Sequence, residues 1–383
     1  MTKLQQMAFD HLLGKMNISM RRKILLGLTG SVATVLYEKL VEKLQSIGDV
    51  SVVLTENAEH FVPNTFDGVK VFREQKEWQW FRDGKLTDKW RRNDPILHIN
   101  LRDKYSAFVI APCSLNTLAK LSAGICDNLL TSIARAWDFN RPIIVAPAGN
   151  THMWNHPVTE QNINMLCSWG YTIVNPQSKM LACGTEGMGA LADIDEIVKA
   201  TREALQWVLP MDPDEFSGIP VGDHPGAFAC QRKHEKHTGV DLYCKDDTDI
   251  RAVESGIVVG IEHFTGEWDN SPWWNNTDCV LIEGPTGVVC YGEIEPVDTL
   301  KVGDSVAQGE YIADVRQVLK EGKHRHDIPG HSTSMLHMEL YPHGTVKASN
   351  GFEEKLLNDI TPFLLEAVDA DKVTQLIYNK ECS

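Results

Sequence analysis

Two unlike domains are predicted for this chain, an α/β half built on a parallel sheet and an all-β half that follows it. Three observations predict them. Short apolar runs alternate with helical periodicity through the first half, the pattern of strands buried beneath helices on both faces. Beyond residue 225 the alternation gives way to short strands separated by turn residues. The charge changes with it: residues 1–208 carry 23 Lys and Arg against 21 Asp and Glu, and the remainder carries 14 against 31. Such a step marks modules of different composition.

The first strand, turn and helix lie in KILLGLTGSVATVLYEKLVEKLQSIGDVSVVLTENAEHF, from Lys23. The apolar run ends in Gly27-Leu28-Thr29-Gly30-Ser31. A Gly-Ser turn at a helix start is a ready anion site, because free N–H groups and the helix dipole face the ligand. Alone it signals no more than a tight turn. Leu36, Leu40, Val41 and Leu44 give the helix an apolar face, and Val50 to Leu54 reads as the second strand. Ala107–Ala111 and Ile143–Ala146 continue the sheet, whose ligand belongs at the carboxyl ends of the strands.

The helix TREALQWVL closes the first half. Residues 209–225, PMDPDEFSGIPVGDHPG, are rich in Pro, Gly and acid and read as a linker. Ile257–Ile261, Cys279–Ile282, Val288–Tyr291 and Tyr311–Val315 are the short strands of the second half, and a helical tail runs from Phe352 to Tyr378. The expected division is an arm over 1–21, a first domain over 22–208, the linker, a second domain over 226–350 and the tail over 351–383.

Composition narrows the function classes. Of 383 residues, 43% are hydrophobic and 23% charged, which excludes a disordered or low-complexity protein. The nine cysteines include no CxxC pair, so neither a disulfide framework nor a zinc ribbon is indicated, and a reducing cytoplasm is expected. The acidic second half argues against a nucleic-acid partner. No apolar run approaches the roughly 20 residues of a spanning helix, and the first 20 residues lack a signal-peptide core, so no membrane partner is expected.

Three further stretches raise the Gly-Ser turn above a simple bend: LHINLRDKYSAFVIAPCSLNTLAKLSAGICDNLLTSIARAWD (97–138), PAGNTHMWNHPVT (147–159) and KMLACGTEGMGALAD (179–193). With the opening strand, turn and helix they resemble the flavin-dependent cysteine decarboxylase family, and within it the phosphopantothenoylcysteine decarboxylases, over residues 22–205. The resemblance implies a flavodoxin-like Rossmann fold that binds FMN between the subunits of a homotrimer. It also implies loss of CO₂ from a small molecule, 4′-phosphopantothenoylcysteine, giving 4′-phosphopantetheine for coenzyme A. An aminocarboxylate alone has no sink for the electrons that CO₂ leaves behind. Oxidising the thiol to a thioaldehyde provides one, which is why a flavin is needed.

Matched to the family motif, His98 is the catalytic base, Asn150 holds the substrate carboxylate and Cys183 protonates the enethiol. Gly30 and Ser31 fall at the flavin phosphate, with Thr55, Ser114, Asn116 and Ala134 also around the cofactor. Cys113, Cys126 and Cys167 read as packing residues. The chain departs from the family twice. Pro-Ala-Met-Asn is Pro147-Ala148-Gly149-Asn150, which removes a side chain and enlarges the pocket. Ala-Cys-Gly-Asp is Ala182-Cys183-Gly184-Thr185, which loses a carboxylate. Two alternatives stay open: a decarboxylase of C-terminal peptidyl cysteine, and a non-catalytic regulatory subunit of the same fold.

The second half has its own series, HEKHTGVDLY (234–243), AVESGIVVGI, CVLIEGPTGVVCYGEI, LKVGDSVAQGEYIADV and SMLHMELY. It resembles the lysostaphin/LytM-type zinc metallopeptidase domains, which implies an all-β LytM-like fold with Zn²⁺ held by His237, Asp241 and His337. Two imidazoles and a carboxylate leave a position open for water. The family's two non-ligand histidines are replaced by Glu293 and Met335, and methionine moves no proton, so peptidase activity is in doubt. His324, His326 and His331 lie in a nearby segment read as an exposed loop.

Overall fold

A computed structural model describes residues 22–64, 66–82, 84–180, 186–232, 236–267, 274–320, 334–349, 351, 356–368 and 377–378. The expectations for the arm over 1–21, for Cys183 and Thr185, and for His324, His326 and His331 lie outside the described residues. The chain divides into two compact units between Leu205 and Gln206.

The first domain contains β1 (Lys23–Leu28), α1 (Tyr37–Gln45), β2 (Asp49–Leu54), β3 (Lys70–Phe72), the hairpin β4 (Trp80–Arg82) and β5 (Lys85–Thr87), and α2 (Leu97–Lys104). There follow β6 (Ala107–Ser114), α3 (Leu115–Ala123), α4 (Leu129–Ala136), β7 (Ile143–Ala148), α5 (Thr151–Trp154), α6 (Pro157–Ser168) and β8 (Thr172–Ile173). A second hairpin, β9 (Gln177–Met180) and β10 (Glu186–Ala190), precedes α7 (Ile194–Leu205). Six strands form one sheet in the order β3-β2-β1-β6-β7-β8, with every neighbouring pair parallel.

Successive side chains of a strand face opposite sides. Ile24, Leu26 and Leu28 pack with Leu40 and Leu44 of α1 and Ile197 of α7. Leu25 packs on the other face with Phe108, Leu101 of α2, and Leu130 and Ile133 of α4. Burial on both faces is why the strands read as continuous apolar runs. Of the cysteines expected in packing, Cys113 is buried, whereas Cys126 and Cys167 are exposed.

The second domain opens with Trp207, whose ring stacks on Phe363 at 5.0 Å and whose Nε1 donates to Glu254 (3.0 Å) and Thr286 (3.1 Å). It comprises β11 (Ile219–Pro220), β12 (Val240–Cys244), β13 (Asp249–Arg251), β14 (Gly256–His263), β15 (Asp278–Glu283) and β16 (Val288–Pro296). After these come β17 (Ser305–Val306), β18 (Tyr311–Val315), β19 (Ser334–Tyr341), α8 (Thr361–Glu366) and β20 (Ile377–Tyr378). The main sheet runs β12-β19-β16-β15-β14-β17, with β18 against β13 and β16. The C-terminal segment thus holds the six-residue α8 and a strand, β20, that pairs in parallel with β11.

The stretch 209–225, expected as a linker, is a packed strap. Met211, Phe216 and Ile219 are buried in the core with Leu242, Tyr291 and Leu336. Its Pro, Gly and acid residues dominate the composition, but three spaced apolar side chains decide where it lies. Among the described residues no helix is long and apolar enough to cross a membrane.

Candidate functional site

The strand order reverses direction at β1: β2 lies on one side of it and β6 on the other. Ligands of open parallel sheets bind at such a switch point, beyond the carboxyl ends of the strands. Thr29, just past β1, ties the two strand ends together. Its Oγ1 donates to Pro112 O (2.7 Å) and accepts from Ser114 N (2.7 Å), and it is fully buried. Nothing in the sequence pattern singles out this threonine from its neighbours.

Beyond these ends lies a cavity of about 990 Å³. Gly30 and Ser31 follow β1, Thr55 follows β2, Ser114 and Asn116 end β6 and begin α3, and Asn150 follows β7; all six line it. Three of them are fixed by local hydrogen bonds. Ser31 Oγ accepts from Ala33 N (3.4 Å), and Ser114 Oγ caps α3 by accepting from Thr117 N (3.2 Å). Asn150 caps α5, its Oδ1 accepting from His152 N (2.9 Å). The other polar atom of that amide is the Nδ2 donor, the polarity a carboxylate requires. Glycine, hydroxyl and amide groups around an opening of this size fit a flavin nucleotide.

Ala134 is not among the lining residues. It is 2% exposed and packs in the core with Leu130 and Ile133, because α4 turns its apolar stripe to the sheet. His98 does not line the cavity either; it sits in the first turn of α2. There Glu77, which sequence reasoning missed, holds it at two points. His98 Nδ1 lies 2.5 Å from Glu77 Oε1, and His98 N donates to Glu77 Oε2 (3.1 Å). Helix α2 has no side-chain cap from Ile96, so the carboxylate serves its first turn. A carboxylate only accepts, which places the ring proton on Nδ1 and leaves Nε2 as the basic atom.

The hairpin β9–β10, whose connecting residues include Cys183, contributes Gln177, Lys179, Gly189 and Ala190 to the cavity wall. Gly149 N donates to Gly189 O (2.9 Å), pinning the hairpin beside Asn150. Gly189 has φ of +128°, and a Cβ there would lie 2.4 Å from Gly149 O. Gly189→Ala is therefore expected to cost about 1–3 kcal/mol and to loosen the hairpin. Flavin retained through gel filtration, read from absorbance, should fall; unchanged retention would show that the hairpin is not part of the flavin site.

In the second domain, Asp241 on β12 stands directly opposite His337 on β19, so both lie on one face of the sheet. His237 approaches from the preceding loop, held by His237 N to Cys230 O (2.9 Å). His237 Nε2 and His337 Nδ1 lie 3.0 and 2.8 Å from Asp241 Oδ1, and 3.3 Å from each other. The second ring nitrogens are anchored: His237 Nδ1 donates to Ala227 O (2.9 Å), and His337 Nε2 meets Glu339 Oε1 (3.1 Å). Tyr341 OH in turn donates to Glu339. Two imidazoles and a carboxylate converge here with their outer nitrogens fixed, an arrangement that could hold a metal ion.

The electrostatics are those of a buried charge cluster. Burial opposes ionisation of Asp241, but His237 and Arg232 beside it hold its carboxyl well below the usual range. Burial lowers the pKa of His237. For His337, burial acts in the same direction, yet its hydrogen bonds to Asp241 and Glu339 prevail and push it up to about 10. Met335 shares the face of Asp241 and His337, paired opposite Tyr243, and is 3% exposed. Glu293 is buried in β16 with φ of +64°. Phe264 lies over His337, ring centroids 5.4 Å apart.

A flavoprotein family model matches residues 15–206, half of the chain, and the chain belongs to that family. A model of peptidase family M23 matches residues 235–348. Within the first half the chain is 41% identical over 185 residues to phosphopantothenoylcysteine decarboxylase of Mus musculus, covering 48% of this chain and 87% of that protein. It is 37% identical over 203 residues to phosphopantothenoylcysteine decarboxylase of Oryza sativa subsp. japonica, covering 52% and 88%. A solved structure, the FMN binding protein AtHal3, is 39% identical, with a TM-score of 0.43, and covers 48% of this chain and 96% of that one.

Proposed function

We propose that the first domain is an FMN-dependent decarboxylase that converts 4′-phosphopantothenoylcysteine to 4′-phosphopantetheine in the cytoplasm. The observation that carries this is the cavity at the switch point, where Gly30, Ser31, Thr55, Ser114, Asn116 and Asn150 meet. The 37–41% identity of this half to two phosphopantothenoylcysteine decarboxylases supports the substrate. Bound flavin would take two electrons from the cysteine thiol, giving the thioaldehyde that serves as the electron sink for CO₂ loss, and would return them as hydride to the enethiol that remains. Asn150 binds the substrate carboxylate through a neutral amide, which adds no fixed charge to oppose departure of CO₂. His98 takes a proton at Nε2, with Glu77 holding its ring. Cys183 returns a proton to the enethiol.

Because His98 lies away from its own chain's cavity, it serves the flavin of a neighbouring subunit in a homotrimer. The segment around it favours such an interface: Trp78, Phe81, Leu86 and Trp90 are 63%, 77%, 59% and 53% exposed, more apolar surface than an isolated face tolerates. The second domain is a Zn²⁺-binding module held by His237, Asp241 and His337, in which Met335 leaves the peptidase proton-transfer set incomplete.

Anaerobic incubation of the flavin-loaded chain with 4′-phosphopantothenoylcysteine should yield 4′-phosphopantetheine by mass spectrometry. Bound FMN without product from this substrate, but with CO₂ from a peptide ending in cysteine, would replace the reading by the peptidyl-cysteine alternative. No turnover of either would leave the regulatory subunit.

A further inference from the structure

The glycine at position 149 removes a side chain from the cavity wall, yet the space it would leave is filled. A Cβ on Gly149 would lie 2.7 Å from Leu115 Cδ1 and 2.9 Å from Leu115 Cγ. Real Cβ atoms do not approach carbon so closely, and Cγ is not a free end that can swing aside. The backbone of Gly149 does not itself demand glycine, since its φ lies outside the left-handed range. Space is the constraint. Leu115 and Gly149 both line the cavity, and each is the neighbour of a proposed ligand-binding group: Leu115 sits between Ser114 and Asn116, Gly149 directly before Asn150.

Leu115 is held where it is. It is the first residue of α3, directly after the capping Ser114, and its side chain packs against the core that contains Leu118 and Cys113. The expectation that the glycine enlarges the pocket therefore fails at this point: the wall next to Asn150 is supplied from the start of α3 instead of the end of β7.

We propose that Leu115 is a specificity-determining residue: it stands in for a side chain at position 149 and closes the cavity around the carboxylate-bearing carbon of the substrate. This rests on the assignment of Asn150 to the substrate carboxylate. Residues 115 and 149 then behave as one steric unit, with room for one large side chain between them. The wall admits hydrogen on the carbon that bears the carboxylate and rejects a larger substituent.

The test compares four flavin-loaded full-length proteins: wild type, Leu115→Ala, Gly149→Met and the double variant. Each is given 4′-phosphopantothenoylcysteine and its α-methylcysteine analogue, whose extra methyl lies beside the carboxylate. The ratio of kcat/KM for the analogue to that for cysteine should rise about tenfold or more in Leu115→Ala, the scale of one methyl group in a fitted pocket. It should fall back towards the wild-type ratio in the double variant. An unchanged ratio in Leu115→Ala, or equal ratios in Leu115→Ala and the double variant, would overturn the proposal.

Thermal melts of the same proteins separate this idea from the function on which it rests. Gly149→Met alone should melt lower than the double variant, because only the latter has room for both residues. If wild type turns over no cysteine substrate, the functional reading fails, while a melt order with the double variant lowest would still overturn the steric pairing.

Discussion

His98→Asn is expected to lower CO₂ release by about 100-fold or more, the range that a positioned general base contributes. Flavin occupancy, read from absorbance in the same samples, separates loss of the base from loss of cofactor at the neighbouring subunit's site. The companion variant Glu77→Gln addresses the geometry. Glu77 receives both the ring and the backbone N–H of His98 while 8% exposed. A glutamine still offers one oxygen, but its amide can also donate to Nδ1, which admits the opposite tautomer and takes the basic site away from Nε2. Turnover should drop about tenfold or more, with kcat affected more than KM. ¹⁵N shifts of the His98 ring would report the change of tautomer, which a purely structural carboxylate would not cause. Equal rates for wild type and His98→Asn would remove this histidine from the chemistry.

In the second domain the largest effect is expected at Asp241. It is fully buried and meets His237, His337 and Arg232, so removing its charge leaves two imidazoles and a guanidinium facing one another. Breaking a buried charge cluster at one member costs about 3–5 kcal/mol. Asp241→Asn should therefore lower the melting transition of this domain. It should also abolish metal uptake, since an amide is a poor substitute for the carboxylate that completes the donor set. Wild type should hold about one zinc per chain by elemental analysis, as a three-residue site implies. Retention of stoichiometric zinc by Asp241→Asn would show that the metal sits elsewhere.

Much of this arrangement is legible in the chain itself, and the reasons differ from place to place. The strands of the parallel sheet announce themselves because both faces are buried, so Ile24 through Leu28 and Ala107 through Ala111 contain little but apolar residues. Gly30, Ser31, Thr55, Ser114, Asn116 and Asn150 are found together because each ends or follows a strand, and all strands of a parallel sheet end on one side. Only a motif points to Ala134, and a motif does not say which way a helix turns its small residues. Glu77 escaped notice because EQKEW, four of whose five residues are polar or charged, looks like a solvated run, and His98 comes 21 residues later. The pairing of Leu115 with Gly149 is equally invisible: it spans 34 positions and consists of a collision that glycine avoids.

The joint between the two halves has a consequence for their separability. Leu205, at the end of α7, is buried in one core, while Gln206 already belongs to the other unit, its carbonyl accepting from Gln308 Nε2 (2.8 Å) ahead of the buried Trp207. A scissor placed in the Pro- and Gly-rich stretch that resembles a seam would carry Trp207 and Met211 off with the wrong partner and open holes in the second half. The true tear line runs between Leu205 and Gln206, in a sequence that gives no outward mark of it.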